Sequence, residues 1–261
     1  MKITLGFSPC PNDTYMFAAL VNKWIDTRGL KFEVYMEDVE TLNSWAGEGK
    51  LDISKISFHR ALSLDDQYNL LNSGAALGNK CGPLIVAKRE LEKEEIQQGM
   101  IALPGKWTTA HLLFSIFYPL ATNKVFMPFH KIEDAVLSGE ALAGVIIHEN
   151  RFTYQAKGLT RITDLGNDWE TRTGLPIPLG GIFAASRLSE DVARLVESLI
   201  RESILFARSN EDLVMPYVRE YAQEMDESIM KSHISLYVND FSLDLGQKGR
   251  EAVEMLKKIV R

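Results

Sequence analysis

Cysteine is scarce in this chain: Cys10 and Cys81 are the two among 261 residues, too few for a disulfide framework in a protein of this length. Both are expected as thiols. Long apolar runs are missing too. None approaches the ~20 residues of a membrane span, and the opening run, residues 1–7, falls short of a secretory segment, which needs ~7–15 apolar residues after a basic start. A cytoplasmic protein with no membrane partner is expected. Basic stripes are absent as well: Lys and Arg number 29 against 35 Asp and Glu, a net charge of −6, and they are scattered, so nothing favours nucleic acid. The chain contains no GxGxxG, no GxxxxGK[ST] and no GxSxG frame, which removes the usual sequence support for dinucleotides, P-loop phosphate binding and a serine nucleophile elbow. Metal-ligand spacing is lacking: His148 and Glu149 open a zincin-like pattern, but the position for the second histidine holds Phe152.

What the chain has is ordinary globular material, 46% hydrophobic and 25% charged, arranged as short apolar runs alternating with helical patterns. The runs at 3–7, 32–36, 51–56, 70–75, 84–87, 100–103, 125–127, 143–147, 159–162 and 181–185 read as strands. A helix is expected over 15–26, where Phe17, Leu20, Val21 and Trp24 share a face. This alternation means α/β with mainly parallel sheets, and the number of strands fits two sheets more easily than one. Breaks near Cys81-Gly82-Pro83 and over 175–181 divide the chain into a discontinuous first lobe, 1–86 plus 183–261, and a smaller second lobe, 87–182. Two α/β lobes joined by two crossings predict a clamshell suited to a small molecule. The chain from Ser189 onward is almost purely helical, with Ser189 and Asn210 as caps, and is expected to pack on the first lobe's core. The apolar pattern sets no oligomeric state, because an apolar residue at a lobe surface looks like a core residue in one dimension.

Candidate binding residues fall near the carboxyl ends of predicted strands, where open α/β sheets hold ligands. In the turn Ser8-Pro9-Cys10-Pro11-Asn12-Asp13-Thr14, two prolines fix the bend, and Asn12, Asp13 or Thr14 can cap the following helix while offering donors to an anion. Ser8, Asn12 and Thr14 are the expected contacts, with Asp13 repelling an anion placed too close. Lys55 and Ser57 alternate on one side of a strand and pair a cation with a hydroxyl, which suits a carboxylate. Over residues 103–109, Gly105 permits a close backbone approach, and Thr108 or Thr109 can cap a helix. His148 follows a buried-looking strand, 144–147, and emerges at the sheet edge, where a histidine of reference pKa ~6.5 can serve as general base. Each of these also has a plain structural role to play, as cap, surface cation or core hydrogen-bonding group.

The combination of Ser8 to Thr14, the stretch 37–43, Ile146-Ile147-His148-Glu149 with Arg151-Phe152-Thr153-Tyr154, Thr173-Gly174-Leu175-Pro176, and Tyr237-Val238-Asn239 with 241–244 resembles the 1,4-dihydroxy-6-naphthoate synthases, nearly end to end. The resemblance implies the fold of a type II periplasmic binding protein and an enzyme of the futalosine route to menaquinone. Such an enzyme cleaves cyclic dehypoxanthinyl futalosine, a small-molecule carboxylate, to 1,4-dihydroxy-6-naphthoate and dihydroxyacetone, with no cofactor or metal. It implies His148 as proton acceptor and Lys55, Ser57, Thr108 and Thr109 as pocket residues. The rival readings are the related chorismate dehydratase, which shares the fold, and a non-catalytic solute-binding protein.

Overall fold

The computed structural model describes residues 1–223 and 226–260. The chain folds as two compact units, Met1–Gly78 with Pro178–Arg261, and Asn79–Ile177. Relative to the sequence reading, the divisions lie at 78/79 and 177/178 rather than 86/87 and 182/183. The reason is strand pairing, which assigns residues 84–87 wholly to the second sheet and 180–185 to the first.

The first unit opens with β1 (Lys2–Phe7), α1 (Pro11–Val21), β2 (Lys31–Met36), α2 (Val39–Gly47), β3 (Ile53–Ser57), α3 (Phe58–Ala61), β4 (Tyr68–Leu70) and β5 (Ala76–Gly78). Helix α1 starts earlier than the apolar spacing suggests, because Pro11 at its first position needs no N–H partner and presets φ. It stops at Val21, and the left-handed backbone of Lys23, φ 58°, turns the chain away. Its N-cap is Cys10, so Asn12, Asp13 and Thr14 lie inside the first turn rather than capping it.

The second unit carries β6 (Leu84–Ala87), α4 (Lys93–Gln98), β7 (Ile101–Leu103), α5 (Thr109–Phe117), β8 (Lys124–Phe126), α6 (Ile132–Ser138), β9 (Ala143–Ile146), α7 (Asn150–Thr153), β10 (Thr160–Asp164) and α8 (Leu165–Thr173). The chain then returns through β11 (Ile177–Ala185) to α9 (Glu190–Ser209), α10 (Glu211–Tyr221), α11 (Glu227–Tyr237), α12 (Asp240–Leu243) and α13 (Gly246–Val260) in the first unit.

Both sheets are mixed rather than mainly parallel. In the first, of order β2-β1-β3-β11-β4 with β5 also on β11, β1 runs parallel to β2 and β3, while β11 is antiparallel to β3 and β4. In the second, β10-β6-β9-β7-β8, strand β7 is parallel to β8 and β9, while β6 is antiparallel to β9 and β10. Apolar runs carry no direction, so the sequence pattern could not register this. Of the expected strand at 70–75, Leu70 ends β4 and residues 71–75 are instead a bend between β4 and β5. Gly74 takes φ 90° there, its N–H reaches Ser242 O at 2.8 Å, and the Ser73 hydroxyl donates to Leu243 O at 2.8 Å.

The first unit's core joins Ile3, Leu5, Phe7, Phe17 and Leu20 to Leu199, Ile200 and Ile204 of α9, Val214 and Val218 of α10, and Met230 of α11. The C-terminal helices thus cover α1, and burying each such side chain contributes roughly 1.5–3 kcal/mol. Ser189 caps α9, accepting from Val192 N, whereas the Asn210 side chain makes no capping bond to α10. A separate cluster of Leu84, Val86, Ala102, Ile132, Val136, Ile146 and Leu159 fills the second unit. Cys10 and Cys81 are both buried thiols, and burial pushes Cys81 up to about 12, leaving it inert near neutral pH.

Where the chain enters the second unit, Gly82 lies directly against Gly166 of α8, and a Cβ on Gly82 would sit 2.3 Å from the Gly166 Cα. The neighbour is backbone and cannot swing aside. Gly82→Ala is expected to destabilise the protein by about 1–3 kcal/mol in urea denaturation; an unchanged midpoint contradicts this close approach.

Candidate functional site

Two polar edges are built in the same way, each where neighbouring parallel strands end and helices begin. In the first unit the edge is formed by β1 and β3, which pair through Leu5↔Ile53 and Gly6↔Ser54. Strand β3 runs through to Ser57, so Lys55 and Ser57 alternate on one side of it, as the spacing predicts. The hub is Asp13, 1% exposed. Its Oδ2 accepts from Ser8 N at 3.2 Å and from the Ser8 hydroxyl at 2.7 Å, and its Oδ1 accepts from Asn12 Nδ2 at 2.8 Å and Lys55 Nζ at 2.7 Å.

Lys55 is expected to meet a carboxylate or to stand at the surface; the carboxylate it meets here is that of Asp13, in a buried ion pair. The same pairing removes the repulsion that Asp13 would exert on an anion. With four donors on its two oxygens, one of them cationic, Asp13 is also a poor candidate for a metal ligand. Asn12 is fixed from its other side by His233 of α11, whose Nε2 lies 2.9 Å from Asn12 Oδ1. Because the Asn12 amide nitrogen donates to Asp13, its oxygen accepts here and His233 Nε2 carries the proton. Thr14 is fully buried, and its hydroxyl donates to Cys10 O at 3.1 Å and Pro11 O at 3.3 Å, bracing the first turn of α1. Ser57 is held by Asn43 of α2: Asn43 Nδ2 donates to the hydroxyl at 3.0 Å, and Ser57 N donates back to Asn43 Oδ1 at 2.9 Å.

The second unit's edge is formed by β7 and β9, parallel neighbours through Ile101↔Ala143 and Ala102↔Gly144. After β7 the chain turns at Gly105, φ 141°, a conformation that favours glycine. Of the two threonines, Thr108 is the cap of α5. Its hydroxyl donates to Gly105 O at 3.0 Å and accepts from His111 N at 3.3 Å, while Thr109 is the buried first residue of the helix. After β9 comes His148, half-buried, with left-handed backbone at φ 57°. Its ring meets Phe129 edge to face, centroids 4.9 Å apart at 66°. The strands thus bring His148 and the Thr108/Thr109 helix start to one edge.

His111 buttresses that edge. Its Nδ1 is 2.8 Å from Lys106 O, an atom that only accepts, so Nδ1 carries the proton and Nε2 faces Lys124 Nζ at 3.4 Å. Burial holds its pKa below the usual histidine value, and the nearby Lys124 and Lys106 charges push the same way, against the Lys106 carbonyl.

Asp13, Asn43 and His233 are the partners that the sequence reading did not assign. Asn43 left a signal, a polar residue beside Leu42 and Ala46 on the buried face of α2. His233 left none, because its partner Asn12 lies 221 positions away.

Two outcomes follow from this geometry. Asp13→Asn strands a buried ammonium and is expected to cost about 3–5 kcal/mol, whereas Asp13→Asn with Lys55→Met costs less than the sum of the single changes in a denaturation cycle; strict additivity contradicts the pair. For His111, the unfolded chain binds the proton more readily, so stability rises with pH between the depressed folded pKa and about 6.5. It is fully present above that window and lost on acidification through it. His111→Leu is expected to flatten this part of the stability profile, and an unaltered slope contradicts the assignment.

A family model described as menaquinone biosynthesis matches residues 3–261. The chain is 43% identical over 254 residues to a 1,4-dihydroxy-6-naphtoate synthase of Thermus thermophilus, covering 97% of this chain and 92% of that one. It is 39% identical over 259 residues to a protein of the same name from Streptomyces coelicolor, covering 97% and 91%. A solved structure from Archaeoglobus fulgidus matches with a TM-score of 0.94 at 35% identity, over 99% of this chain and 96% of that one. The alkanesulfonate-binding protein SsuA of Xanthomonas axonopodis matches with a TM-score of 0.67 at 11% identity, over 90% and 84%, which shows the periplasmic-binding-protein fold alone. With that fold and a family match over almost its whole length, the chain belongs to the menaquinone-biosynthesis family.

Proposed function

We propose that the protein is a carbon–carbon lyase that converts cyclic dehypoxanthinyl futalosine to 1,4-dihydroxy-6-naphthoate and dihydroxyacetone, with His148 as proton acceptor. The observation that carries the assignment of the base is the placement of His148, half-buried at the carboxyl end of β9 beside the Thr108-capped start of α5. The two named relatives support the choice of reaction. A neutral imidazole takes the proton of a substrate hydroxyl. The O–H electron pair becomes a carbonyl, the adjacent carbon–carbon bond breaks, and its electrons enter the ring that becomes naphthalenoid. General-base assistance of this kind contributes ~10²–10⁴ in rate, and aromatisation supplies further driving force.

Thr108, Thr109, Ser8, Asn12, Thr14, Lys55 and Ser57 are the proposed substrate-binding set, in two tiers. The Thr108/Thr109 helix start presents backbone N–H groups to a carboxylate, with the Thr108 hydroxyl engaged in holding the turn in place. Lys55 acts as an oriented donor whose charge Asp13 already balances, so recognition in the first unit rests on hydrogen-bond direction more than on net positive charge. Thr14 acts through the shape of the opening turn.

The decisive assay incubates the purified protein with cyclic dehypoxanthinyl futalosine and, separately, with chorismate. Naphthoate product from the first alone is expected. His148→Ala is expected to lower its formation by at least ~10²-fold while substrate still binds. Turnover of chorismate, or undiminished product from the variant, overturns the reading.

A further inference from the structure

We propose that Glu133 is a positioning residue for His148, acting through Asn150. This rests on the reading of His148 as the proton acceptor. Glu133 lies in the first turn of α6 and is completely buried. Its Oε2 accepts from Asn150 Nδ2 and from Lys157 Nζ, the latter at 2.5 Å. Its Oε1 has no hydrogen-bond partner among the described residues. A carboxylate taken out of water with one oxygen unbonded is a poor way to stabilise a fold, and an apolar residue of similar volume packs the same space at lower cost. The group is better explained by what it holds.

What it holds is the far end of the histidine turn. Asn150, itself buried, is the first residue of α7, two positions after His148. The turn between β9 and α7 includes the left-handed backbone of His148, a conformation that is unfavourable for an L residue and that contacts on the turn help to hold. Phe129, four positions before Glu133, packs its ring against the imidazole. One segment, residues 129–133, therefore grips the turn twice, at the ring and at the start of α7. Arg151 secures the other side of α7, donating to Gly82 O and to Lys80 O at 2.7 Å and pairing with Asp164 at 2.6 Å. With the backbone and the ring both fixed, the imidazole keeps the aim that proton transfer requires.

The test compares Glu133→Ala, Glu133→Gln and Lys157→Met in the full chain, measuring kcat and KM with cyclic dehypoxanthinyl futalosine together with the imidazole resonances of His148. Displacing a catalytic group by about 1 Å costs up to ~10²-fold, so Glu133→Ala is expected to lower kcat about 10–100-fold with KM within about threefold. The His148 resonances should move as the Phe129 ring shifts relative to them. Glu133→Gln keeps an oxygen for Asn150 and is expected to recover most of the rate. Lys157→Met breaks the ion pair alone and is expected to leave kcat within about threefold. Should Glu133→Ala fail to fold, Asn150→Ala cuts the same link and carries the same expectation. Unmoved His148 resonances, an unchanged kcat in folded Glu133→Ala, or an equal loss in Lys157→Met overturns the proposal. His148→Gln, measured alongside, separates the two failures. If it abolishes turnover while Glu133→Ala does not, the positioning role alone falls; if it turns over normally, the reading of His148 falls and takes this role with it.

Discussion

The turn that carries His148 has a left-handed backbone, unfavourable to an L residue, and several side chains of the second unit hold it in place. Left-handed geometry at φ 57° costs an L residue roughly 1–2 kcal/mol, a cost that contacts on several sides offset. Phe129 packs on the imidazole, Glu133 anchors Asn150, and Arg151 fastens α7 to the segment by which the chain enters the unit. The parallel neighbour β7 then delivers the Thr108 cap to the same edge. Sheet register, a capped helix and a strained turn thus converge on one histidine.

The first unit solves a different problem, the burial of a charge. Lys55, 6% exposed, needs a counter-charge, and Asp13 supplies it while drawing Ser8 and Asn12 into fixed orientations. Such a pair adds little net stability compared with apolar packing, and the retention of buried ions is better understood as specifying geometry. Its chemical result is an edge of directed donors with its charge already balanced. That suits recognition of a polar substrate by shape and hydrogen-bond pattern, with less reliance on long-range attraction.

Much of this was legible in one dimension. Short apolar runs located the strands, with residues 84–87 matching β6 at both ends, and Ser189 was readable as the cap of α9. Turn chemistry pointed to Ser8, Thr108 and His148 because strand ends followed by capping residues have a local signature. Strand direction had no such signature. The bend at 71–75 follows an apolar run and so reads as its continuation, yet its backbone groups bond to Ile182 of β11, Ser242 of α12 and Leu245, all distant in sequence. The pairings of Asp13, His233 and Glu133 have no local signature for one reason: their partners, Lys55, Asn12 and Asn150, are brought to them only by tertiary folding.

The central claim is that the His148 imidazole accepts the proton as the carbon–carbon bond breaks. The pH dependence of the single-turnover rate with cyclic dehypoxanthinyl futalosine tests it most directly. In the native protein the rate should fall on the acid side with unit slope, as one imidazole becomes protonated. In His148→Gln the residual rate should lose that limb. An acid limb that survives unchanged in the variant contradicts the account.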